Sequence, residues 1–362
     1  MMNKLKAMKK DTKVNFATYA GVIIAFVVLM ILREMGMLSR SLSGMLVPIC
    51  CYVVMAISLN LTVGVLGELS LGHAGFMSVG AFTGVIVAMG LSTVLPSDPL
   101  RLIIAMIAGA IIAAAAGFIV GIPVLRLRGD YLAIVTLAFG EIIKELMNCL
   151  IVGYDSRGLH IALNISGKVT IDSLGLDETG FAIIKGAQGA TGTNKIATFT
   201  AGFILIMIAL VIVLNLVNSR SGRAILAIRD NRIAAESVGI NVTKYKMMAF
   251  VTSAALAGAA GALFSLGQNT IIASKFDFNT SILILVFVVL GGQGRMWGSI
   301  IAAAALTILP EMLREFADYR MLIYAIVLIV VMLFTNSAGA KQFTAKIKGI
   351  FMRDVEGGEQ NG

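Results

Sequence analysis

Ten apolar runs, 12 to 25 residues long, fill most of the chain between residues 16 and 336. They cover 16–32, 43–63, 74–95, 102–125, 131–152, 197–217, 248–272, 280–291, 297–312 and 320–336. A helix rises 1.5 Å per residue, so about 20 apolar residues cross a hydrocarbon layer about 30 Å thick. No water reaches the backbone there, and a helix is the segment that satisfies its own amides and carbonyls. The runs therefore predict an all-α polytopic membrane protein with about ten transmembrane or half-membrane helices. The eighth and ninth runs are short enough to be half-helices. Composition agrees, with 58% hydrophobic and 14% charged residues, against roughly 25% charged in soluble domains.

In such a chain the net charge of +9 reads as basic loops on one side of a membrane rather than as a nucleic-acid surface. With the N-terminus inside, the inner segments hold eighteen lysines and arginines and the outer segments ten. That bias, with an even number of spans, places both termini in the cytoplasm. The expected organisation is a basic cytoplasmic N-terminus (1–15), a permease domain (16–340) and a cytoplasmic tail (341–362). Within the domain, the loop 153–196 falls outside and the charged loop 218–247 falls inside. The outer loop is rich in Gly, Thr, Asp and Asn and could form a small cap or a docking surface. The run 16–32 is long for a signal-peptide core and no small-x-small site follows it, so it reads as an uncleaved first span. Cys50, Cys51 and Cys149 lie in apolar runs without metal spacing and read as small core residues. His73 and His160 are too far apart to define a metal site, and no cofactor is expected.

The stretch "SRSGRAILAIRDNRIAAESVGINVTKYK" (219–246) carries four arginines, two lysines, one aspartate and one glutamate between two apolar runs. On a wheel of 100° per residue, 224–238 places Arg229, Arg232 and Glu236 on one side, with Arg232 and Glu236 at ion-pair spacing. Ala227, Ile228, Ala235 and Val238 gather on another side, and Gly239 stands where a helix-ending glycine belongs. One short amphipathic helix is expected, either a solvated connector or an element that docks into a partner's groove.

Two Gly-rich stretches interrupt the apolar pattern, "GVLGELSLGHAGF" (64–76) and "LGGQGRMWG" (290–298). Broken helices leave backbone groups free inside a membrane, and helix N-termini attract a carboxylate, so Gly72, His73, Gly291, Gly292 and Gln293 become candidates for a translocation path. The same glycines equally suit tight turns between packed helices, and His73 suits a structural hydrogen bond. Arg295 reads as a topology charge and Trp297 as an interfacial anchor. Glu141, Lys144 and Glu145 fall within the fifth run at i, i+3 and i+4; Glu141 is either half of a structural pair or a polar element of the path. Gly80-x-x-x-Gly84, Gly117-x-x-x-Gly121 and "AALAGAAGAL" (254–263) allow close helix approach, within the chain or with a second permease.

The segment "AIRDNRIAAESVGIN" resembles the coupling loop of ABC importer permeases, although here the acid follows the two alanines. "LSLGHAGFMSVGAFTG" (69–84), "RLRGDYLAIVTLAFGEI" (126–142) and "LILVFVVLGGQGRMWGSIIAAA" (283–304) resemble, in the same order, signatures of LivM-type permeases of branched-chain amino acid ABC transporters. The likeness runs from about residue 45 to 336. Gly75 stands where family members often carry alanine, and the outer loop is idiosyncratic. The resemblance implies a homologous second permease, two cytoplasmic ATPase subunits and an extracytoplasmic substrate-binding protein, with ATP bound by those partners. It places Arg229, Asp230, Ala234, Ala235, Glu236 and Gly239 in the coupling helix, and the protein in a bacterial cytoplasmic membrane. The sequence contains no G-x-x-x-x-G-K-[ST], so an ATP-binding loop of that kind must come from another chain. The expected function is translocation of branched-chain amino acids. A urea, amide or other small-solute permease of the same family is the nearest alternative. An ion-coupled secondary transporter using Glu141 or Glu145 is a further one. A membrane enzyme would need catalytic groups clustered at one depth, and none is visible.

Overall fold

The computed structural model describes residues 10–37, 39–92, 94–127, 129–155, 158–164, 175, 177, 180–313 and a few residues between 319 and 330, with side chains from residue 16. The basic residues 1–9, most of the expected span 320–336 and the tail 341–362 lie outside the described residues. From Leu306 onward the chain forms a second unit, of which chiefly the last turns of one helix are described.

The helices are α1 (Lys10–Glu34), α2 (Arg40–Asn60, continued by a π turn at Leu61–Leu66), α3 (His73–Gly90), α4 (Asp98–Val124) and α5 (Asp130–Cys149). After an interruption follow α6 (Phe199–Asn218), α7 (Arg220–Asp230), α8 (Arg232–Ser237), α9 (Val242–Ser265), α10 (Phe278–Gly291) and α11 (Met296–Met312). Among the described residues seven helical segments are long and apolar enough to cross a membrane, and α11 is a shorter apolar helix. Two of the ten expected runs are thus changed. The eighth lengthens to Ala273–Gly291, 19 residues long and apolar enough to cross a membrane. The fifth, α5, has spanning length but carries Asp130, Glu141, Lys144 and Glu145, and it stops at Cys149 instead of residue 152.

It stops because the chain turns into a sheet, a departure from the all-α expectation. Strands β1 (Leu150–Asp155), β2 (Gly158–Leu163), β3 (Phe181–Lys185), β4 (Ala190–Thr191) and β5 (Thr270–Ile271) form an antiparallel sheet in the order β2-β1-β3-β4-β5. The described part of the segment 153–196 thus forms strands, tied to the C-terminal end of α9 through β5. Tyr154 on β1 lies beside Gly90 at the end of α3. From β4 the 20-residue α6 leads to α7, a rise of about 30 Å, so the sheet and the α7–α8 segment occupy opposite ends of the bundle.

The core is α2, α3 and α9, with α4 against them. The most apolar stretch of α2 is 89% buried, whereas that of α1 is 11% buried. Small residues set the spacing. A Cβ on Gly80 would lie 2.0 Å from the Gly258 carbonyl oxygen, one on Gly258 2.3 Å from the Ala113 methyl, and one on Gly117 2.6 Å from the Ala254 methyl. The glycine spacings in the sequence thus pack α3, α4 and α9 within this chain. Lipid tails are as apolar as leucine, so this close approach, with its dispersion contacts, holds the helices together. The faces of α1, α4 and α6 that point away carry Ile24, Val28, Ile107, Ile111, Ile119, Ile204 and Ile208, all exposed, the surface expected of helices solvated by hydrocarbon.

Candidate functional site

Two helix starts meet partway along α5, that of α3 buried and that of α10 exposed at Phe278 and Asn279. Gly72 and Gly75, at the start of α3, lie against Thr136 and Gly140 near the middle of α5; a Cβ on Gly72 would sit 2.1 Å from the Thr136 carbonyl oxygen. The Leu71 amide donates to Thr136 Oγ1 at 3.0 Å. Beside this start lies the start of α10, and the two are joined by the Ala74 amide donating to Ser281 Oγ at 3.2 Å. Asp277 caps α10 through the Thr280 amide at 2.9 Å, and Glu141 Oε1 accepts from the Phe278 amide at 3.0 Å. The other oxygen of Glu141 pairs with Lys144, which also reaches Glu145 at 3.4 Å. Glu141 is therefore half of a pair and also a cap on a helix N-terminus, where a carboxylate is favoured by free amides and the helix dipole. Its carboxylate occupies the place that a ligand's carboxylate would seek. The junction of Leu71, Gly75, Glu141, Asp277 and Ser281 is closed, without room for a water molecule.

His73 lies at this junction, fully buried, with Nε2 2.7 Å from Ser58 Oγ on α2. Ser58 also donates to the Met55 carbonyl at 2.9 Å, so the imidazole donates from Nε2 and ties α3 to α2. Gly72, His73 and Glu141 are thus brought to one place. Gly291, Gly292 and Gln293 are not. They lie at the far end of α10, 14 residues long and so about 20 Å away.

There the two Gly-rich stretches cross. The Gly294 amide donates to Asn60 Oδ1 at 2.8 Å, and Asn60 Nδ2 donates to Ser299 Oγ at 3.0 Å. A Cβ on Gly64 would lie 2.1 Å from the Gly294 nitrogen, and one on Gly291 2.4 Å from the Gly298 carbonyl carbon. Neither stretch tolerates a side chain at the crossing.

The charged segment touches this crossing. Arg229, on α7, donates from Nη1 to the Gly64 carbonyl at 3.2 Å, and its stem lies where a Cβ on Gly67 would be, 2.6 Å away. Gly67 has φ +79°, the left-handed region that glycine occupies without strain. Next to it Glu68 pairs with Lys246 of α9, both side chains largely buried. The segment is two helices rather than the single helix expected over 224–238. Asn231 is extended (φ −155°) and its side chain accepts from the Ala234 amide at 3.1 Å, capping α8 afresh. The predicted ion pair forms, Arg232 Nε to Glu236 Oε1 at 2.9 Å. Gly239 ends α8 with φ +81°, its amide bonding to the Glu236 carbonyl and that of Ile240 to the Ala235 carbonyl, the paired closure of a Schellman motif.

The apolar face survives the break except at its end. Ile228 and Ala235 turn inward and pack with Val242, Ile240 and Tyr245. Val238 remains outside, 75% exposed, joined by Ile233 at 80%. Asp230 pairs with Arg229, and Ala234 lies exposed beside them. The sequence reading overlooked Asn60, Ser58, Ser281 and Lys246. Asn60 and Ser58 stood out as polar residues within an apolar run; Lys246 was counted as a loop charge, although it is buried in the first turns of α9.

Seven helical segments of this length and apolarity among the described residues define a multi-pass membrane protein. The chain belongs to the family described as the branched-chain amino acid transport system / permease component, whose model matches residues 41–334. It is 34% identical over 308 residues to the high-affinity branched-chain amino acid transport system permease protein LivM of Escherichia coli, covering 82% of this chain and 69% of the relative. A probable branched-chain amino acid transport permease protein LivM of Methanocaldococcus jannaschii is 26% identical, over 68% of this chain and 74% of the relative. The fructose import permease protein FruG of Bifidobacterium longum is 24% identical, over 91% and 94%. No solved structure matches the chain.

Proposed function

We propose that this chain is the permease subunit of an ABC importer that moves branched-chain amino acids into the cell. It would act with a second permease, two ATPase subunits and an external binding protein. The observation that carries this reading is the seat of the α7–α8 segment. It holds the break of α2 through Arg229 and presents Ile233, Val238 and an Arg232–Glu236 pair outward. That is the form of a lever with a handle for another protein, and its basic surroundings support a cytoplasmic position.

In this reading an ATPase pulls on α8, and Arg229 transmits the displacement to Gly64–Gly67. The Glu68–Lys246 pair carries it to α9, and the loop to Gly72–His73 carries it to the junction of α3 and α10. Opening that junction moves Glu141 off the first amide of α10. A substrate carboxylate can then take the amide, with Glu141 left facing the substrate ammonium. Closing restores Glu141 to its cap and drives the substrate on.

The test is reconstitution in liposomes with the partner subunits. ATP-dependent leucine uptake is expected, and Ile233→Glu should abolish both uptake and retention of the ATPases while the chain still inserts. Uptake by the chain alone, driven by an ion gradient, would overturn the proposal. A different small polar solute is the second reading, favoured by the full-length likeness to a fructose import permease. Competition of leucine uptake by fructose, ribose or urea decides between them.

A further inference from the structure

Helix α1 touches the bundle along one side and leaves most of its apolar stretch exposed. Phe26 stacks on Phe203 and Phe199 of α6, with ring centroids 4.0 and 5.1 Å apart. Lower down, the Trp297 indole fills the place of a Gly21 side chain, 2.3 Å from where its Cβ would be. Around the first contact lies a slot of about 350 Å³ walled by Val22, Leu29, Val53, Ile206, Ile300 and Ala304 and almost wholly apolar. On the other side of Trp297 lies a pocket of about 520 Å³ whose walls include Thr18, Asn218 and Arg295. Trp297 borders both, so the two spaces form one crevice, apolar along α1 and polar at its start. The polar part sits at the bundle end where α6 finishes and α11 begins, the level of an interfacial tryptophan.

We infer that this crevice holds one anionic phospholipid, with its phosphate at Arg295 and an acyl chain in the slot beyond Trp297. Three observations commit it to that occupant. Arg295 is exposed and lines the pocket, and its only bonds to described residues are made by its backbone. No carboxylate lines either space among the described residues, so the charge is open to an anion. A protein interior closes an apolar void of this size because its walls lose dispersion contacts; a slot left open within the hydrocarbon layer is filled by hydrocarbon, which an inorganic phosphate lacks. This goes beyond the transport proposal and does not depend on it.

The experiment is native mass spectrometry of the full chain released from nanodiscs of phosphatidylglycerol and phosphatidylcholine in equal amounts. One phosphatidylglycerol should stay bound. Arg295→Gln should lower its retention about fivefold and Arg295→Lys should keep it, as expected of one basic residue facing an anionic lipid. Ala304→Trp, which fills the slot and leaves the charge, should also release the lipid. Thermal unfolding confirms that the variants are folded. Equal retention of the two lipids would overturn the inference, as would retention unchanged by Arg295→Gln, or displacement of the lipid by inorganic phosphate.

Discussion

Lys246 and Glu68 show what a single contact can decide. Both are largely buried at the base of α9 and the loop before α3, and a charge left there without its partner has no water to turn to. Lys246→Met should destabilise the protein by about 3–5 kcal/mol, and the added change Glu68→Gln should recover most of it, because removing both charges removes the desolvation cost. Unfolding of the purified single and double variants in detergent checks this; a double variant no better than Lys246→Met would refute it. Gly67 makes a similar point about backbone. With φ +79° and the Arg229 stem against it, Gly67→Ala meets conformational strain and a neighbouring side chain together. We expect it to displace Arg229, lowering ATP-driven uptake more than ligand delivery by the binding protein. The polar residues of this region were only partly legible in the sequence. His73 was visible because histidine is rare here. Lys246 was hidden because six basic residues close together look like a solvated loop, and only the fold shows which one turns inward.

At the scale of elements, the charged segment teaches most. A helical wheel assumes an unbroken helix, and over 224–238 it placed Ala235 and Val238 on one face. Asn231 breaks that helix in two, yet Ile228 and Ala235 still share the buried side, and Val238 leaves them because it is the C-cap residue beyond the last turn of α8. The signal was present, since asparagine three residues before an available amide is a preferred start for a helix. It was overridden by a pattern that continued through it. Asn231→Ala should cost about 1 kcal/mol and let α7 and α8 exchange with solvent together, seen as faster hydrogen exchange at Ala234 and neighbouring amides. Unchanged exchange would show that the cap does not hold α8. Gly239→Pro should be more severe, since proline cannot adopt a positive φ or supply the amide bonded to Glu236. Loss of ATPase retention with membrane insertion intact is the expected readout. The sheet escaped the sequence reading for another reason. The start of β1, "LIV", is as apolar as the span before it, and β4 and β5 are two residues each, too short to show an alternation.

At the scale of the whole molecule, long apolar runs announced the membrane class and nearly all the helices, because hydrocarbon leaves the backbone few choices. They could not announce that the glycine spacings serve this chain's own core rather than a neighbour. Gly258 has Gly80 of α3 against its backbone, and any side chain on it would run into Gly109 and Ala113 of α4. Gly258→Leu should therefore prevent stable folding of the isolated chain, with loss of a monodisperse species on size exclusion. A normal monomer that failed only to join a second permease would move those glycines to an interface. Such an interface still has room on this surface, through the outward isoleucines of α4, α6 or α1.

The π turn at Leu61–Leu66 has a consequence for how the chain can change. Each π turn spends one residue more than an α turn on the same rise, so it acts as a length reserve in the most buried helix. Removing one residue from 61–66 would let the rod run on as regular α-helix, unbroken and still apolar, with everything beyond the deletion nearly in place, because the π turn holds the surplus residue within one turn. The helix would survive, but the turn that lays Gly64 against Gly294 and offers its carbonyl to Arg229 would be gone. This stretch is therefore one where a shorter sequence can look healthier by every local measure and still lose the crossing of the two Gly-rich stretches.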